Sequence, residues 1–275
     1  MRFVRYGEIG AEKPGVLDGD GNIRDLSGQV ADLAGDVLGA LPDVDPAGLP
    51  LVEGSPRLGV PVAGVGKLIA IGLNYSDHAA EAGMAEPSEP IVFMKATSCL
   101  SGPNDPVELL RGSEKTDYEV ELGVVIGRHA KYVSEADALK HVAGYCIVND
   151  LSERHFQTER GGQWTKGKSC DTYGPVGPWL VTPDEVGDPQ DLNLWCNVNG
   201  EVRQNGATSS MIFTVAHIVS YLSQMMSLQP GDIIATGTPP GVGMGMKPPS
   251  FLKVGDVMEL GVERLGRQRQ EIVSG

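Results

Sequence analysis

From Lys67 to the C-terminus, short apolar runs recur, most of them bounded by glycine, proline or a polar cluster. They are Leu68–Gly72, Ile91–Met94, Val120–Ile126, Tyr145–Val148, Trp179–Val181, Leu192–Val198, Ile233–Thr236 and Val257–Val262. Runs of this length, rich in Val and Ile, read as strands rather than helices. The chain carries 37 glycines and 19 prolines, about a fifth of its length, which suits many turns and short strands and argues against a helical bundle. Helical patterns are fewer: Val30–Leu41, Ser76–Gly83, Ser134–Lys140 and Thr214–Met226. In the last, Val215, Ile218, Val219, Leu222 and Met226 form a stripe at helical spacing, which reads as core. The expected class is α+β, rich in strand, with function carried on long loops.

Residues 1–62 read as a small N-terminal domain. Val16-Leu17 and Ile23-Arg24-Asp25-Leu26 flank Asp18-Gly19-Asp20-Gly21-Asn22, a hairpin signal. Pro42, Pro46, Pro50, Pro56 and Pro61 give the following stretch a linker-like texture, and residues 67–275 read as the catalytic domain. The 275 residues hold enough apolar side chain (41 %) for an ample core. A net charge of −14 argues against nucleic acid or an anionic membrane as a partner. The four cysteines, Cys99, Cys146, Cys170 and Cys196, fit no zinc spacing, and the N-terminus has no signal-like apolar stretch. The expected location is the cytoplasm, with reduced thiols.

The run Asp117-Tyr118-Glu119-Val120-Glu121-Leu122-Gly123-Val124-Val125-Ile126-Gly127 holds two glutamates inside an otherwise apolar strand. Alternation puts Glu119 and Glu121 on one face, roughly 6.6 Å apart at ~3.3 Å per residue. Adjacent carboxylates in a low dielectric repel and lose hydration, and a cation between them is the simplest remedy. Asp150 ends another apolar run, Tyr145-Cys146-Ile147-Val148-Asn149-Asp150. Three carboxylates with no His or Cys suit a hard cation, Mg²⁺ or Mn²⁺, with positions left for water and substrate. A solvated strand face would show the same alternation.

Three further segments carry chemistry. In Asn74-Tyr75-Ser76-Asp77-His78-Ala79-Ala80-Glu81, a helix starting near Ser76 places His78 and Glu81 at i and i+3. A carboxylate beside an imidazole makes a general base, although such pairs are also common on surface helices. Gly162–Ser169 fits the phosphate-loop pattern, but its upstream segment is polar and the downstream one holds Pro175 and Pro178, so a nucleotide loop is rejected. The segment still gathers Arg154, Lys166 and Lys168 near Asp150, a setting for an anionic substrate or a plain solvated loop. Ala235–Gly243 leads a strand into a Gly/Pro loop, offering backbone N–H groups and the Thr238 hydroxyl to a carboxylate, or simply a tight turn.

In order and spacing, the strings GLNYSDHAAE, FMKATSCLSGPND, DYEVELGVVIG, GYCIVNDLSERHFQ, WTKGKSCDTYGPVGPWLV, LQPGDIIATGTPPGVG and FLKVGDVMEL resemble the fumarylacetoacetate hydrolase family from about residue 67 onward. The resemblance implies that family's mixed β-sandwich roll and a homodimer. It implies a Mg²⁺ or Mn²⁺ site at Glu119, Glu121 and Asp150, and a catalytic His78–Glu81 dyad on a lid segment with Lys168 beside it. It further implies that Arg154, Gln157, Thr238 and Lys95 contact substrate or brace the site. Within the family, DLSERHFQTERGGQWTKGKSCDTYGPVGPWLV with TGTPPGVGMGMKPP is similar to a bacterial branch with 2,4-diketo-3-deoxy-L-rhamnonate or fuconate hydrolases. The implied reaction is metal-dependent cleavage of a C–C bond in an acylpyruvate, a small anionic 2-oxo acid, giving pyruvate and a second acid such as lactate. Decarboxylation of an oxaloacetate-type acid, or isomerisation or hydration of an unsaturated 2-oxo acid, would use the same residues.

Overall fold

The computed structural model describes residues 1–81 and 83–275. Strands β1 (Arg2–Tyr6), β2 (Lys13–Leu17) and β3 (Ile23–Asp25) form an antiparallel set. The expected hairpin turn is closed by the Asp18 carboxylate, which accepts from the Asp20 and Asn22 N–H groups and from Arg24 Nε at 2.7 Å. Next come β4 (Leu68–Gly72), the helix Ser76–Glu81 and β5 (Ile91–Lys95). The helical pattern expected over Ser76–Gly83 includes Ala82, which lies outside the described residues. Short strands β6 (Leu100–Ser101), β7 (Val107–Leu109) and β8 (Thr116–Asp117) lead into β9 (Val120–Ile126) and β10 (Val142–Asn149). After β11 (Ser152–Glu153) and β12 (Gly174–Val181), the chain adds β13 (Asn193–Val198), β14 (Glu201–Ala207), β15 (Ile233–Ala235), β16 (Val257–Val262) and β17 (Gly266–Ser274).

These strands build two main sheets. The larger has the order β3-β2-β1-β12-β10-β9-β15-β4-β5, with β6 added beside β12. Its neighbours are antiparallel except β15–β4 and β12–β6. The second sheet has the order β14-β13-β16-β17-β7. In the larger sheet, β4, β9 and β15 are buried at every residue, which is why they read as unbroken apolar runs rather than alternating ones.

Two cores cover its two faces. Val120, Leu122, Val124 and Ile126 face one core, shared with Leu194, Met258 and Leu260 of the second sheet and with the helix Val215–Met225. Val125, Cys146 and Val148 face the other, shared with Phe3, Val16, Leu26, Leu33 and Leu38. The first 62 residues therefore extend the main sheet through the β1–β12 pair and seal its second face.

The helix expected over Val30–Leu41 is instead a single 3₁₀ segment, Gly35–Gly39. Glycine stands at both its ends, and Gly35 adopts φ +52°, which an α-helix cannot pass through. The Thr214–Met226 pattern does form a helix, Val215–Met225, whose first turn is capped by the Thr214 hydroxyl accepting from the His217 N–H. Among the described residues, no helix is long and apolar enough to cross a membrane.

The stripe on that helix gives a test of the core. Leu222 is fully buried while Met225 is half exposed on the same helix. Leu222→Ala should lower unfolding stability by about 2–5 kcal/mol. Met225→Ala should stay within about 0.5 kcal/mol, both read from urea denaturation midpoints.

Candidate active site

Strand parity assembles the acidic cluster. Glu119 and Glu121 share the face of Val125, and the antiparallel β9–β10 register sets Val148 against Glu121. Two residues further on, the Asp150 N–H donates to the Glu119 carbonyl at 2.9 Å, so Asp150 lies across from Glu119 on that same face. Glu119, Glu121 and Asp150 are all buried, and a ligand oxygen from each lies within 4.8 Å of the others.

Three cations answer these acids. Lys168 Nζ bridges Glu119 Oε2 at 2.5 Å and Asp150 Oδ2 at 2.7 Å. Arg154 donates from Nη2 to Glu119 Oε1 (2.7 Å), from Nε to Asp117 Oδ2 (2.8 Å) and from Nη1 to Gln157 Oε1 (2.9 Å). Lys95 Nζ reaches Asp150 Oδ1 at 2.6 Å and the Leu151 carbonyl at 3.0 Å. Glu121 is the exception: among the described residues it has a single bond, from the Gly237 N–H at 2.8 Å.

The electrostatics follow from these partners. Burial raises the Glu119 carboxyl, but Lys168 and Arg154 outweigh it and hold the group below the usual carboxylate range. Glu121 is pushed well above that range, by burial and then by the charges of Asp150 and Glu119. Burial works to lower the Lys168 ammonium, and Asp150 and Glu119 more than reverse it, so Lys168 stays protonated. A trio of hard oxygen donors with one member lacking a cation fits a divalent metal such as Mg²⁺ or Mn²⁺.

His78 and Glu81 sit on the helix Ser76–Glu81, with His78 Nδ1 3.2 Å from Glu81 Oε2. Both Glu81 oxygens accept from the Gly241 N–H, at 3.0 and 3.1 Å, which seats this helix on the Gly/Pro loop. Gly245 makes the seat: a Cβ there would stand 2.3 Å from Glu81 Cδ. His78 lines one cavity together with Glu119, Glu121, Asp150, Arg154, Gln157, Lys168 and Thr238.

Lys95 and Thr238 are placed as braces of the cluster. Lys95 does not line the cavity; it is buried beyond Asp150, held by that ion pair. The Thr238 hydroxyl donates to the Val120 carbonyl (2.9 Å) and accepts from Gln204 Nε2 (2.7 Å), so its one proton is already used inside the protein. Its N–H has no partner among the described residues. The Gly162–Ser169 segment follows the helix Arg154–Thr158 rather than a strand, in keeping with the rejection of a phosphate loop.

Sequence reading missed two buried braces. Asp117 accepts from the Gly243 N–H (2.6 Å), the Met244 N–H (3.0 Å) and Arg154. Its signal was present, since it stands two residues before Glu119 on the same alternation. Gln204, on β14, accepts from the Val120 N–H at 3.0 Å and donates to Thr238 and to the Pro239 carbonyl. No local pattern marks it.

A two-sheet roll that brings a carboxylate trio and a His–Glu pair to one cavity is the architecture of a hydrolase. The chain belongs to the fumarylacetoacetate hydrolase family: the family described as Fumarylacetoacetate (FAA) hydrolase C-terminal matches residues 67–273. A 2,4-didehydro-3-deoxy-L-rhamnonate hydrolase of Sphingomonas sp. (strain SKA58) is 60% identical over 273 residues, covering 99% of this chain and 96% of that protein. The fumarylacetoacetate hydrolase of psychrophilic Exiguobacterium antarcticum is 38% identical, with TM-score 0.91 and full coverage of both chains. Maleylpyruvate hydrolase from Sphingobium sp. SYK-6, solved in complex with manganese (II) ion and pyruvate, is 30% identical with TM-score 0.79, again over both whole chains.

The raised Glu121 carboxyl makes a signed prediction for the metal-free protein. A carboxyl raised by folding from its ordinary 4.5 binds more protons folded than unfolded, so stability is lost as pH rises above the ordinary carboxylate range. Glu121→Gln should flatten that loss and raise the metal-free Tm at pH 7.5, by roughly 2–4 °C per kcal/mol relieved. Mn²⁺ or Mg²⁺ should raise the Tm of the wild type, and the variant should lose that increase. Scanning fluorimetry showing a lower metal-free Tm for the variant, or an unchanged metal response, would contradict this account.

Proposed function

We propose that this enzyme hydrolyses a C–C bond of an acylpyruvate, a 2,4-dioxo acid, to pyruvate and a second acid. The observation that carries the reading is the His78 imidazole, oriented by Glu81, opening onto the same cavity as the three-carboxylate cluster. The name of the Sphingomonas relative and the manganese and pyruvate in the Sphingobium neighbour support it. By the first, the substrate is 2,4-diketo-3-deoxy-L-rhamnonate or a close analogue, and the second acid is lactate.

Glu119, Glu121 and Asp150 would hold the cation, Mg²⁺ or Mn²⁺. When bound, it supplies Lewis acidity toward the 2-oxo acid head. Glu81 keeps the proton on His78 Nδ1, which leaves the Nε2 lone pair to take a proton from water. The hydroxide adds to the C4 carbonyl. The C3–C4 bond then breaks with its electron pair moving to C3, and protonation there gives pyruvate. Arg154 fixes Gln157 by its side-chain oxygen, turning the amide nitrogen of Gln157 to the substrate as a neutral donor. Lys168 keeps Glu119 and Asp150 in register for the cation and presents positive charge where negative charge develops.

His78→Ala should cut kcat for pyruvate release by about 10²–10⁴-fold, the usual contribution of a general base. More than about a tenth of wild-type turnover remaining would sink this assignment. Chelation should abolish release and added Mn²⁺ or Mg²⁺ restore it. Unchanged mass of the substrate, or CO₂ in place of a second acid, would replace the hydrolase reading with isomerisation or decarboxylation.

A further inference from the structure

The cavity is charged on one side and apolar on the other, where Ile71, Gly72, Met84, Phe93, Trp164 and Met244 line it. Trp164 packs edge-on to Phe93, with ring centroids 5.4 Å apart and planes at 68°. The indole lies so close over Gly72 that a Cβ there would stand 2.4 Å from its Cζ3. Any other residue at position 72 would push the ring away, so the glycine is what lets Trp164 close this side. The Phe93 ring also faces the charged side, with Lys168 Nζ 5.2 Å from its centroid.

The two cationic side chains lining the cavity are both committed. Arg154 spends its guanidinium on Asp117, Glu119 and Gln157, and Lys168 spends its ammonium on Glu119 and Asp150. Among the described residues, no further Lys or Arg lines the cavity. A second carboxylate at the far end of a substrate would meet aromatic rings with no cationic partner among the described lining residues. The neutral donor there is the Gln157 amide nitrogen, which has no partner among the described residues and can serve a hydroxyl or carbonyl.

We infer that Trp164, seated over Gly72 and against Phe93, closes the apolar side of the cavity and restricts the acyl group to a short, uncharged one. The inference rests on the acylpyruvate reading above and narrows it to monocarboxylic 2,4-dioxo acids, with dicarboxylic ones excluded. Trp164 acts as a specificity-determining wall and takes no part in the proton transfer.

The test compares three compounds with added Mn²⁺ by pyruvate release: acetylpyruvate, 4-phenyl-2,4-dioxobutanoate and 2,4-dioxohexanedioate. Wild-type kcat/KM for acetylpyruvate should exceed that for the dioate by at least about 100-fold, the scale of an unpaired buried charge. Trp164→Ala should raise the phenyl-to-acetyl ratio of kcat/KM at least about tenfold, since the side chain opens volume but adds no charge. It should leave the dioate as poor as before. Calorimetry with 2-oxopentanoate and 2-oxoglutarate, which share the 2-oxo acid head and are not cleaved, should show the uncharged tail binding more tightly by a similar factor.

Equal use of the dioate, or equal binding of 2-oxoglutarate, overturns the inference while pyruvate release keeps the hydrolase reading intact. Pyruvate release from none of the compounds, with 2-oxopentanoate still preferred, overturns the hydrolase reading and leaves the tail assignment standing on binding. An unchanged phenyl-to-acetyl ratio in Trp164→Ala removes that residue from the wall.

Discussion

The bridge from the Lys168 ammonium to Glu119 and Asp150 is the interaction on which this end of the molecule depends. Each of the three groups is buried, and none survives burial as an ion alone. Lys168 comes from the four-residue helix Thr165–Lys168, Glu119 from the approach to β9 and Asp150 from the exit of β10. Tying them together fixes a loop to the sheet across 49 and 18 residues of chain. Removing one partner of such a bridge strands the others, typically at a cost of about 3–5 kcal/mol, so cluster and fold are not separable here.

The second sheet reaches the same place through neutral groups. Gln204 binds the Val120 N–H, the Thr238 hydroxyl and the Pro239 carbonyl, so one amide holds the start of β9 and the Gly/Pro loop at a fixed spacing. Asp117 does the same one turn of the loop further on, at Gly243 and Met244. Glu81 then rests on Gly241 and against Gly245 of that loop. The position of the His78–Glu81 pair is therefore set by the braces under the carboxylates, through the backbone of residues 241–245.

What was legible in the sequence is what a short-range period records. The alternation around Glu119 and Glu121, the polar end of the run at Asp150, the i,i+3 spacing of His78 and Glu81 and the stripe on Val215–Met225 all follow from two residues per strand repeat or 3.6 per helical turn. What was not legible depends on partners far along the chain. Lys95 pairs with Asp150 from behind because β5 and β4 run antiparallel with Lys95 opposite Leu68, a register no local pattern states. Gln204 sits on a half-exposed strand with no clean alternation, and its partners lie 84 and 34 residues away. Trp164 stands in a polar loop, and only the missing side chain at Gly72 explains its place. The Val30–Leu41 pattern misled because apolar spacing alone does not register that glycines bracket its centre.

The charge count of this end also bears on the chemistry proposed for it. In mutual contact stand four carboxylates, Asp117, Glu119, Glu121 and Asp150, against three cations, Lys95, Arg154 and Lys168. With the Glu121 carboxyl raised, the metal-free cluster sets three ionised carboxylates against three cations and is close to neutral. A divalent cation that displaced the Glu121 proton would leave one positive charge in excess. One carboxylate of the proposed substrate would then restore neutrality. The same crowding of charge that raises the Glu121 carboxyl in the metal-free protein is therefore what a bound cation would relieve, and it ties the proposed cation and the proposed anionic acid to one balance.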